Sequence, residues 1–209
     1  MMAEVLKASD VNSVRRAVEV LRRGEVVAFP TDTVYGLGAH HLIASAVEKL
    51  YVIKRRDRGK AIPLLIAGRE DLAEVASQVP DVAWRLAERF WPGPVTIVLP
   101  RAPGLLSVLT AGTGAVAVRM PDHGVASRLI SMLGVPLAAT SANLSGQTEC
   151  VTVGEVLRVF GRRVELILDG GRCPGGMAST VVDVAVDPPV VRRRGALVSE
   201  VEAFLAGGA

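Results

Sequence analysis

Thr31, Asp32 and Thr33 are small polar residues that directly follow an apolar run, and Gly36 and Gly38 come soon after them. Hydroxyl and carboxylate groups at such a point can hold a small polar ligand, and glycines let the backbone approach it closely. Thr and Asp also cap helices, so this segment alone is more typical of a capping turn than of a binding site. Its interpretation depends on the other polar segments of the chain.

A dense basic segment covers residues 54–60, in which five of seven residues are Lys or Arg. Lys54 lies one turn beyond Leu50 and Tyr51 in a predicted helix, so we expect it to extend the apolar face and to point into the lip of a cleft. A solvated basic loop is the alternative. The charge density and Gly59 favour phosphate binding. The chain has no P-loop and no Gly-x-Gly-x-x-Gly motif after a strand, so a nucleotide would be bound by another arrangement.

Arg119 stands at the end of a predicted strand, directly before Met120 and Pro121. A buried arginine needs an anionic partner because an unpaired buried charge is costly. That partner is either a bound ligand or an internal carboxylate such as Asp122 or Glu165, and the sequence leaves both open.

Further hydroxyl and basic residues follow later strands. The loop 140–146 offers hydrogen-bond donors and acceptors, and the chain has neither a Ser-His-Asp signature nor a Gly-x-Ser-x-Gly elbow there. Ser141 is therefore better suited to hold a ligand than to act as a nucleophile. Ser179 follows a glycine-rich stretch that could lie over a ligand, and residues 192–195 form an Arg-Arg-Arg-Gly turn.

The elements that must position these residues alternate irregularly along the chain. Apolar periodicity and turn residues predict helices at 10–23, 44–54, 69–77, 81–90, 124–133, 152–159 and 197–205, and strands at 26–29, 63–66, 95–99, 115–119, 136–140, 165–169, 180–186 and 189–193. Some strands are consecutive, which favours an α/β fold with a mixed sheet over a strict βαβ repeat. Open α/β sheets bind ligands near strand ends, where the polar loops of this chain lie.

Length and composition agree with one such domain over residues 1–209. Half of the residues are hydrophobic and 4% are aromatic, so the core must be built from Val, Leu, Ile and Ala. The net charge of +3 permits an anionic partner such as a nucleotide or RNA without demanding one. Of the 24 basic residues, 20 are Arg, which reflects either GC-rich codon usage or a preference for phosphate-binding side chains.

The two cysteines, Cys150 and Cys173, and the three histidines show no metal-ligand spacing, so we expect no metal site built from the protein alone. The sequence shows neither a signal peptide nor an apolar run long enough to span a bilayer. We therefore expect a cytoplasmic protein with reduced thiols and no membrane partner.

Seven of these segments, taken together, resemble the YrdC/TsaC family and the catalytic domain of its longer Sua-type relatives. They occur in one order within residues 10–205, at 30–38, 54–56, 91–96, 118–121, 141–146, 179–183 and 193–195. Two are specific to the family, Pro-Thr-Asp-Thr-Val-Tyr-Gly-Leu-Gly and Ser-Ala-Asn-x-Ser-Gly. The resemblance implies a mixed, strongly twisted sheet flanked by helices, with a concave basic cleft.

The resemblance also implies an activity, that of a nucleotidyltransferase. L-Threonine, bicarbonate and ATP, with Mg²⁺ accompanying the triphosphate, would give L-threonylcarbamoyladenylate and pyrophosphate. The product would feed the modification of the adenosine beside the anticodon of tRNA. The implied partners therefore include tRNA or double-stranded RNA and downstream tRNA-modification proteins.

Roles for individual residues follow from the same resemblance. Those implied for ATP are Lys54, Arg56, Lys60, Asn143 and Arg193, with Lys54 and Arg56 carrying catalysis; those implied for threonine are Thr33, Arg119, Ser141 and Ser179. Transfer of a carboxylate to the α-phosphate needs alignment and charge neutralisation more than a base. The absence of an evident catalytic His or Cys is consistent with this chemistry.

The chain departs from the family pattern at three positions. Asp57 stands where Pro is common, Ala67 where some relatives have His, and Ala115 where some have Thr, and the last two would contact ligand. Two other functions stay open. One is an RNA-binding module without catalysis, although scarce aromatic residues argue against base stacking. The other is a carbamoyl-adenylate enzyme with a different acceptor.

Overall fold

A ten-stranded mixed sheet forms the centre of the computed structural model, which describes residues 2–207. Strands β1 to β10 are Glu4–Lys7, Val27–Phe29, Gly36–His40, Leu64–Leu65, Val95–Pro100, Ala115–Arg119, Leu137–Ser141, Leu166–Asp169, Thr180–Asp183 and Val190–Arg193. Their spatial order is β1-β8-β2-β3-β7-β4-β6-β5-β9-β10. Strand β5 pairs in parallel with β9 and antiparallel with β6, so the predicted mixed α/β sheet is confirmed.

Helices cover both faces of this sheet. Helices α1 to α7 are Val11–Arg22, Ala44–Lys54, Leu72–Val75, Asp81–Phe90, Gly124–Leu133, Val153–Phe160 and Val198–Ala206. Asp10 caps α1 as predicted, because its side chain accepts a hydrogen bond from the Asn12 N–H at 2.9 Å. Within residues 2–207, none of the helices combines the length and apolarity that crossing a bilayer requires.

The core consists of two apolar clusters on opposite faces of the sheet. Along β2, Val27 and Phe29 belong to one cluster and Ala28 to the other, because successive side chains of a strand point to opposite faces. Helices α1 and α5 cover the Phe29 face and contact each other. The buried residues are mainly aliphatic, as the composition predicts.

Strand β3 was not predicted, because Gly36 and Gly38 have low strand propensity. The structure explains why glycine is tolerated there. A Cβ atom on Gly38 would lie 2.9 Å from the ring of Phe29 and 3.0 Å from Leu137. The close approach that a glycine permits at position 38 is therefore an approach of the backbone to core side chains. The segment 31–35 leads into a strand, so the helix-capping alternative is wrong.

One further strand was not predicted, and two predicted boundaries were incorrect. No sequence pattern indicated β1, an edge strand that is mostly exposed. The helix predicted at 69–77 is a 3₁₀ turn at Arg69–Asp71 followed by the short α3, which ends before Ala76 bridges to Arg101. The strand predicted at 180–186 stops at Asp183, whose carboxylate accepts a hydrogen bond from the Ala185 N–H and turns the chain.

Candidate active site

A cavity of about 250 Å³ opens between the ends of several strands. Six of the nine residues implied by the sequence line it together: Thr33, Arg56, Arg119, Ser141, Ser179 and Arg193. They come from segments far apart in the chain, so the sheet topology creates this grouping. Lys54, Lys60 and Asn143 are not among its lining residues.

A hydroxyl-based turn positions Thr33 on the cavity wall. Thr31 Oγ1 accepts hydrogen bonds from the Thr33 and Val34 N–H groups at 3.2 and 3.3 Å and donates to the Val34 carbonyl at 2.7 Å. The Thr31 and Thr33 hydroxyl oxygens are 3.0 Å apart. Because the Thr31 proton is committed to Val34, Thr33 is the donor in this contact. The turn therefore fixes the orientation of the Thr33 hydroxyl.

Arg119 is almost fully buried and has three protein partners. Its Nε donates to the Gly93 carbonyl at 2.9 Å, Nη1 to Thr33 Oγ1 at 3.0 Å, and Nη2 to Asp32 Oδ1 at 2.5 Å. The internal carboxylate is thus Asp32. The alternatives Asp122 and Glu165 were wrong, and Glu165 pairs with Arg23 at 2.7 Å. Burial lowers the pKa of Arg119, and the charge of Asp32 acts in the opposite direction.

Lys54 lies behind the cavity wall and fixes the loop that follows β7. Its Nζ donates to the carbonyls of Ser141 and Asn143 at 2.6 and 2.9 Å, and to Asn143 Oδ1. The Ser141 hydroxyl in turn donates to Asn143 Oδ1 at 2.7 Å. Burial, and then the charge of Arg56, lower the pKa of Lys54 to about 8. This lysine is 3% exposed, so the expectation that it points into the cleft lip is wrong.

Arg56 and Arg193 line the cavity, and their hydrogen-bond partners are uncharged. Arg56 Nε and Nη2 donate to the carbonyls of Lys60 and Ala61 at 3.0 and 2.7 Å. Arg193 Nη2 donates to the Ser179 carbonyl at 2.8 Å and to Ser179 Oγ at 2.9 Å. Within residues 2–207 neither arginine forms a salt bridge with a carboxylate. Burial lowers the pKa of both.

Ser179 is fixed where β9 begins. Its hydroxyl lies 2.8 Å from Thr96 Oγ1 in the neighbouring strand β5. Gly195 passes so close to this point that a Cβ atom on it would lie 2.3 Å from the Ala178 carbonyl oxygen and 2.6 Å from the Ser179 carbonyl carbon. The glycine in the basic turn therefore permits the contact between Arg193 and Ser179.

Tyr35 contributes to the site by hydrogen bonding with the glycine-rich stretch, a role that was not predicted from the sequence. Its hydroxyl donates to the Gly171 carbonyl at 2.8 Å, and burial raises its pKa to about 12. The Gly175 and Gly176 N–H groups donate to the carbonyls of Asp32 and Thr33 at 3.0 and 2.8 Å. Residues 170–176 are thus hydrogen-bonded to the turn that carries Thr33. The two segments lie far apart in the sequence, so no local signal indicated that they pair.

Lys60, Ala67 and Ala115 lie off the cavity wall. The Lys60 side chain is exposed, although its carbonyl accepts from Arg56, and its implied role in ATP binding stays a prediction. Ala67 and Ala115 do not line the cavity. The nearest lining residues of their segments are Leu65 and Ala117. The two Ala departures therefore alter no part of the lining.

The cavity combines two kinds of chemistry. One part offers two guanidinium groups that have only neutral partners, which suits phosphate oxygens. The same wall offers the hydroxyl groups of Thr33 and Ser179 and the guanidinium group of Arg119, which suit a small polar molecule with a carboxylate and a hydroxyl group. Apolar side chains such as Leu65 and Val181 lie on the same wall. This set can hold an anionic nucleotide beside an amino acid.

Comparisons with known proteins identify the family to which the chain belongs. Residues 19–195 match the family model of Sua5, YciO and YrdC, described as "Telomere recombination". Threonylcarbamoyl-AMP synthase of Pyrococcus abyssi is 43% identical over 184 residues, which are 88% of this chain and 54% of that protein. The enzyme of the same name from Bacillus subtilis is 43% identical over 188 residues, which are 90% of this chain and 54% of that protein.

Solved structures extend this similarity to the fold. The crystal structure of Pyrococcus abyssi Sua5 complexed with L-threonine has a TM-score of 0.92 and 39% identity, over 98% of this chain and 61% of that one. The chain spans a little over half the length of the curated relatives it matches first. The similarity therefore concerns the part of those proteins that this chain covers.

Proposed function

Because the chain belongs to the Sua5/YciO/YrdC family, we propose that it synthesises threonylcarbamoyl-AMP from L-threonine, bicarbonate and ATP, and releases pyrophosphate. The observation that carries the proposal is the shared cavity, in which Arg56 and Arg193 stand beside Thr33, Ser179 and Arg119. Relatives named for this activity, and a relative solved with L-threonine, support the same assignment. The expected location is cytoplasmic.

In this proposal, ATP binds with its phosphates against Arg56 and Arg193. Both guanidinium groups keep N–H donors that the protein does not use, and charge-assisted hydrogen bonds to phosphate are strong. Lys54 and Asn143 act from behind the wall, where they hold Ser141 in place. Lys60 stands outside the cavity and would meet only the outer end of the nucleotide.

L-Threonine binds at the other part of the cavity, near Thr33, Ser141 and Ser179. Its carboxylate is placed against Arg119, which, within residues 2–207, leaves two of its five N–H donors without a protein partner. Its unprotonated amine attacks the carbon of CO₂, one C–O π bond opens, and the nitrogen loses a proton to give a carbamate. With bicarbonate as the source of the carbon, the same product forms with release of water. A neutral amine is required because an ammonium group has no lone pair for this bond.

The carbamate oxygen then attacks the α-phosphorus of ATP. A bond forms between that oxygen and phosphorus, the bond to the β-phosphate bridging oxygen breaks, and pyrophosphate leaves with the electron pair. The guanidinium groups neutralise the charge that develops on the phosphates, and the fixed substrates need no protein nucleophile. The absence of a Ser-His-Asp arrangement is consistent with this mechanism.

Mg²⁺ enters this scheme as part of the MgATP substrate. Within residues 2–207, no group of three His, Cys, Asp or Glu side chains is placed to hold a metal ion. The cavity wall offers guanidinium and hydroxyl groups instead. The donor set therefore fits an ion that arrives on the triphosphate, where it would neutralise charge, rather than a resident metal cage.

The test is direct synthesis. The protein is incubated with MgATP, bicarbonate and labelled L-threonine, and the adenylate and pyrophosphate are quantified. Formation of both, dependent on threonine and bicarbonate, is expected, whereas absence of both contradicts the proposal. Replacing threonine with serine or other amines tests the acceptor. The further proposal that the product serves tRNA modification requires adding tRNA and the downstream modification proteins.

A further inference from the structure

The three arginines on the cavity wall differ in how their charges are balanced. Arg119 forms a salt bridge with Asp32 at 2.5 Å, and the two side chains are only 8% and 11% exposed. Both charges are thus held away from water and directly against each other. A buried pair of this kind carries no net charge, so it attracts an anion more weakly and over a shorter range than an isolated guanidinium group does.

Arg56 and Arg193 present the opposite case. Their partners are carbonyl and hydroxyl oxygens, which orient the guanidinium groups but leave their positive charges in place. The charges of Arg56 and Arg119 both act to lower the pKa of Arg193, so the three groups are close enough to influence one another. Glu149 acts on Arg193 in the opposite direction but forms no salt bridge with it within residues 2–207.

From this difference we infer that Asp32 is a positioning and specificity residue: it masks the charge of Arg119, so that phosphate groups bind at Arg56 and Arg193 and the Arg119 end is kept for the amino acid. The inference rests on the proposed function, which it deepens. Asp32 is not among the residues that line the cavity, so it acts through Arg119.

Two features of the Arg119 end explain the selectivity. A multiply charged phosphate gains less from this ion pair than from an isolated guanidinium group, because the repulsion of Asp32 offsets part of the attraction of Arg119. A threonine carboxylate can still use the two free N–H donors of Arg119, since directional hydrogen bonds do not require a net charge. Asp32 also prevents Arg119 from turning, because Nε, Nη1 and Nη2 all have fixed acceptors.

The test uses pyrophosphate as the probe and isothermal titration calorimetry as the readout, which needs no turnover. Asp32→Asn keeps an oxygen acceptor for Arg119 and removes the negative charge. Pyrophosphate should bind this variant about tenfold more tightly than the wild type. L-Threonine should compete with pyrophosphate in the variant and not in the wild type. Asp122→Asn, the same change at an exposed carboxylate nearby, should leave pyrophosphate binding within about twofold.

A second variant keeps the test decisive if Asp32→Asn does not fold. Asp32→Asn combined with Arg119→Gln replaces the ion pair with a neutral hydrogen-bonded pair. Because Arg119 is masked in the wild type, this double variant should bind pyrophosphate as the wild type does, whereas Arg193→Gln should bind it at least about tenfold more weakly.

The outcomes separate the two proposals. If the wild type binds neither pyrophosphate nor MgATP, the proposed function fails. If the wild type binds pyrophosphate and Asp32→Asn binds it equally well without competition from threonine, only the masking role is overturned. It is likewise overturned if the double variant loses pyrophosphate binding to the same extent as Arg193→Gln.

Discussion

Lys54 Nζ donates to both oxygens of Asn143, to the carbonyl at 2.9 Å and to Oδ1, and so joins the end of α2 to the loop after β7. The same ammonium group also holds the Ser141 carbonyl at 2.6 Å. Lys54 therefore determines where Ser141 stands on the cavity wall. Its removal should affect both stability and the site.

The first prediction concerns this removal. Lys54→Met removes the donor to the Asn143 carbonyl, whereas the Ser141 carbonyl still accepts from the Asn143 N–H at 3.0 Å. The free energy of unfolding should fall by about 1–3 kcal/mol, the usual cost of unsatisfied buried groups, as measured by urea denaturation at pH 7. Lys49→Met is a matched control on the same helix: its ion pair with Glu25 is partly exposed, so a loss below about 1 kcal/mol is expected. Equal losses in both variants would contradict the prediction.

The second prediction concerns pH. The pKa of Lys54 is about 8 in the fold, below its ordinary value of 10.5, so the unfolded chain binds more protons between these values. Stability contributed by this group must therefore rise with pH in that window. The difference in unfolding free energy between wild type and Lys54→Met should grow from pH 8 to pH 10.5, by at most about 1.4 kcal/mol per pH unit. A difference that stays constant or shrinks would refute it.

The third prediction separates two arginines of one basic segment. Arg56 lines the cavity, whereas Arg58 pairs with Glu48 on the outside and is 65% exposed. Arg56→Ala should lower kcat/KM for ATP on the order of 10²-fold while the protein stays folded, and Arg58→Ala should change it little. Lys60→Gln should lower kcat/KM for ATP by a smaller factor than Arg56→Ala does. Steady-state kinetics with circular dichroism as a folding check decides this, and wild-type turnover in Arg56→Ala would refute the site assignment.

The fourth prediction tests Ser141 as a ligand-holding residue. Ser141→Ala removes a hydroxyl that lies on the cavity wall and donates to Asn143 Oδ1 at 2.7 Å. Activity should fall with the fold retained, and a raised KM for threonine should account for part of the loss. Ser127→Ala removes a hydroxyl of α5 outside the cavity and should leave both constants unchanged. Unchanged threonine kinetics in Ser141→Ala would contradict the assignment.

The fifth prediction concerns Gly195. An added Cβ would lie 2.3 Å from the Ala178 carbonyl oxygen, so Gly195→Ala must displace the chain around Ser179 and Arg193. Activity should fall severalfold and thermal stability should drop. At Gly114 nothing lies within 4 Å of such a Cβ, and Gly114→Ala should leave both properties unchanged. Melting temperature and initial rates measure the two effects, and identical behaviour of the two variants would argue against the close approach.

Local sequence patterns predicted some elements of this structure accurately, whereas elements that depend on contacts between distant segments were not predicted. Amphipathic helices such as α1 and α4 and apolar strands such as β5 and β6 were predicted almost to the residue, because local periodicity and caps determine them. Strand β3 was not predicted, since its glycines fit only because Phe29 occupies the space beside them. That contact joins two strands and leaves no trace in local propensity.

The candidate site shows the same division. Residue types indicated which polar segments matter, and a family resemblance implied their roles. The carboxylate that pairs with Arg119 belongs to a segment far away in the chain. The sequence alone therefore could not identify Asp32 as the partner instead of Asp122 or Glu165. The burial of Lys54 likewise follows from how the loop after β7 folds over α2, which periodicity alone cannot show.

Arg193 belongs to β10, which joins the sheet at its edge beside β9 and comes last in chain order among the ten strands. The cavity also draws on residues as early as Thr31. A nascent chain interrupted before β10 therefore lacks one of the two cationic groups that we assign to the phosphates. In the proposed function, nucleotide binding thus requires the span from Thr31 to Arg193, and a fragment that ends before β10 should bind ATP more weakly than the full chain.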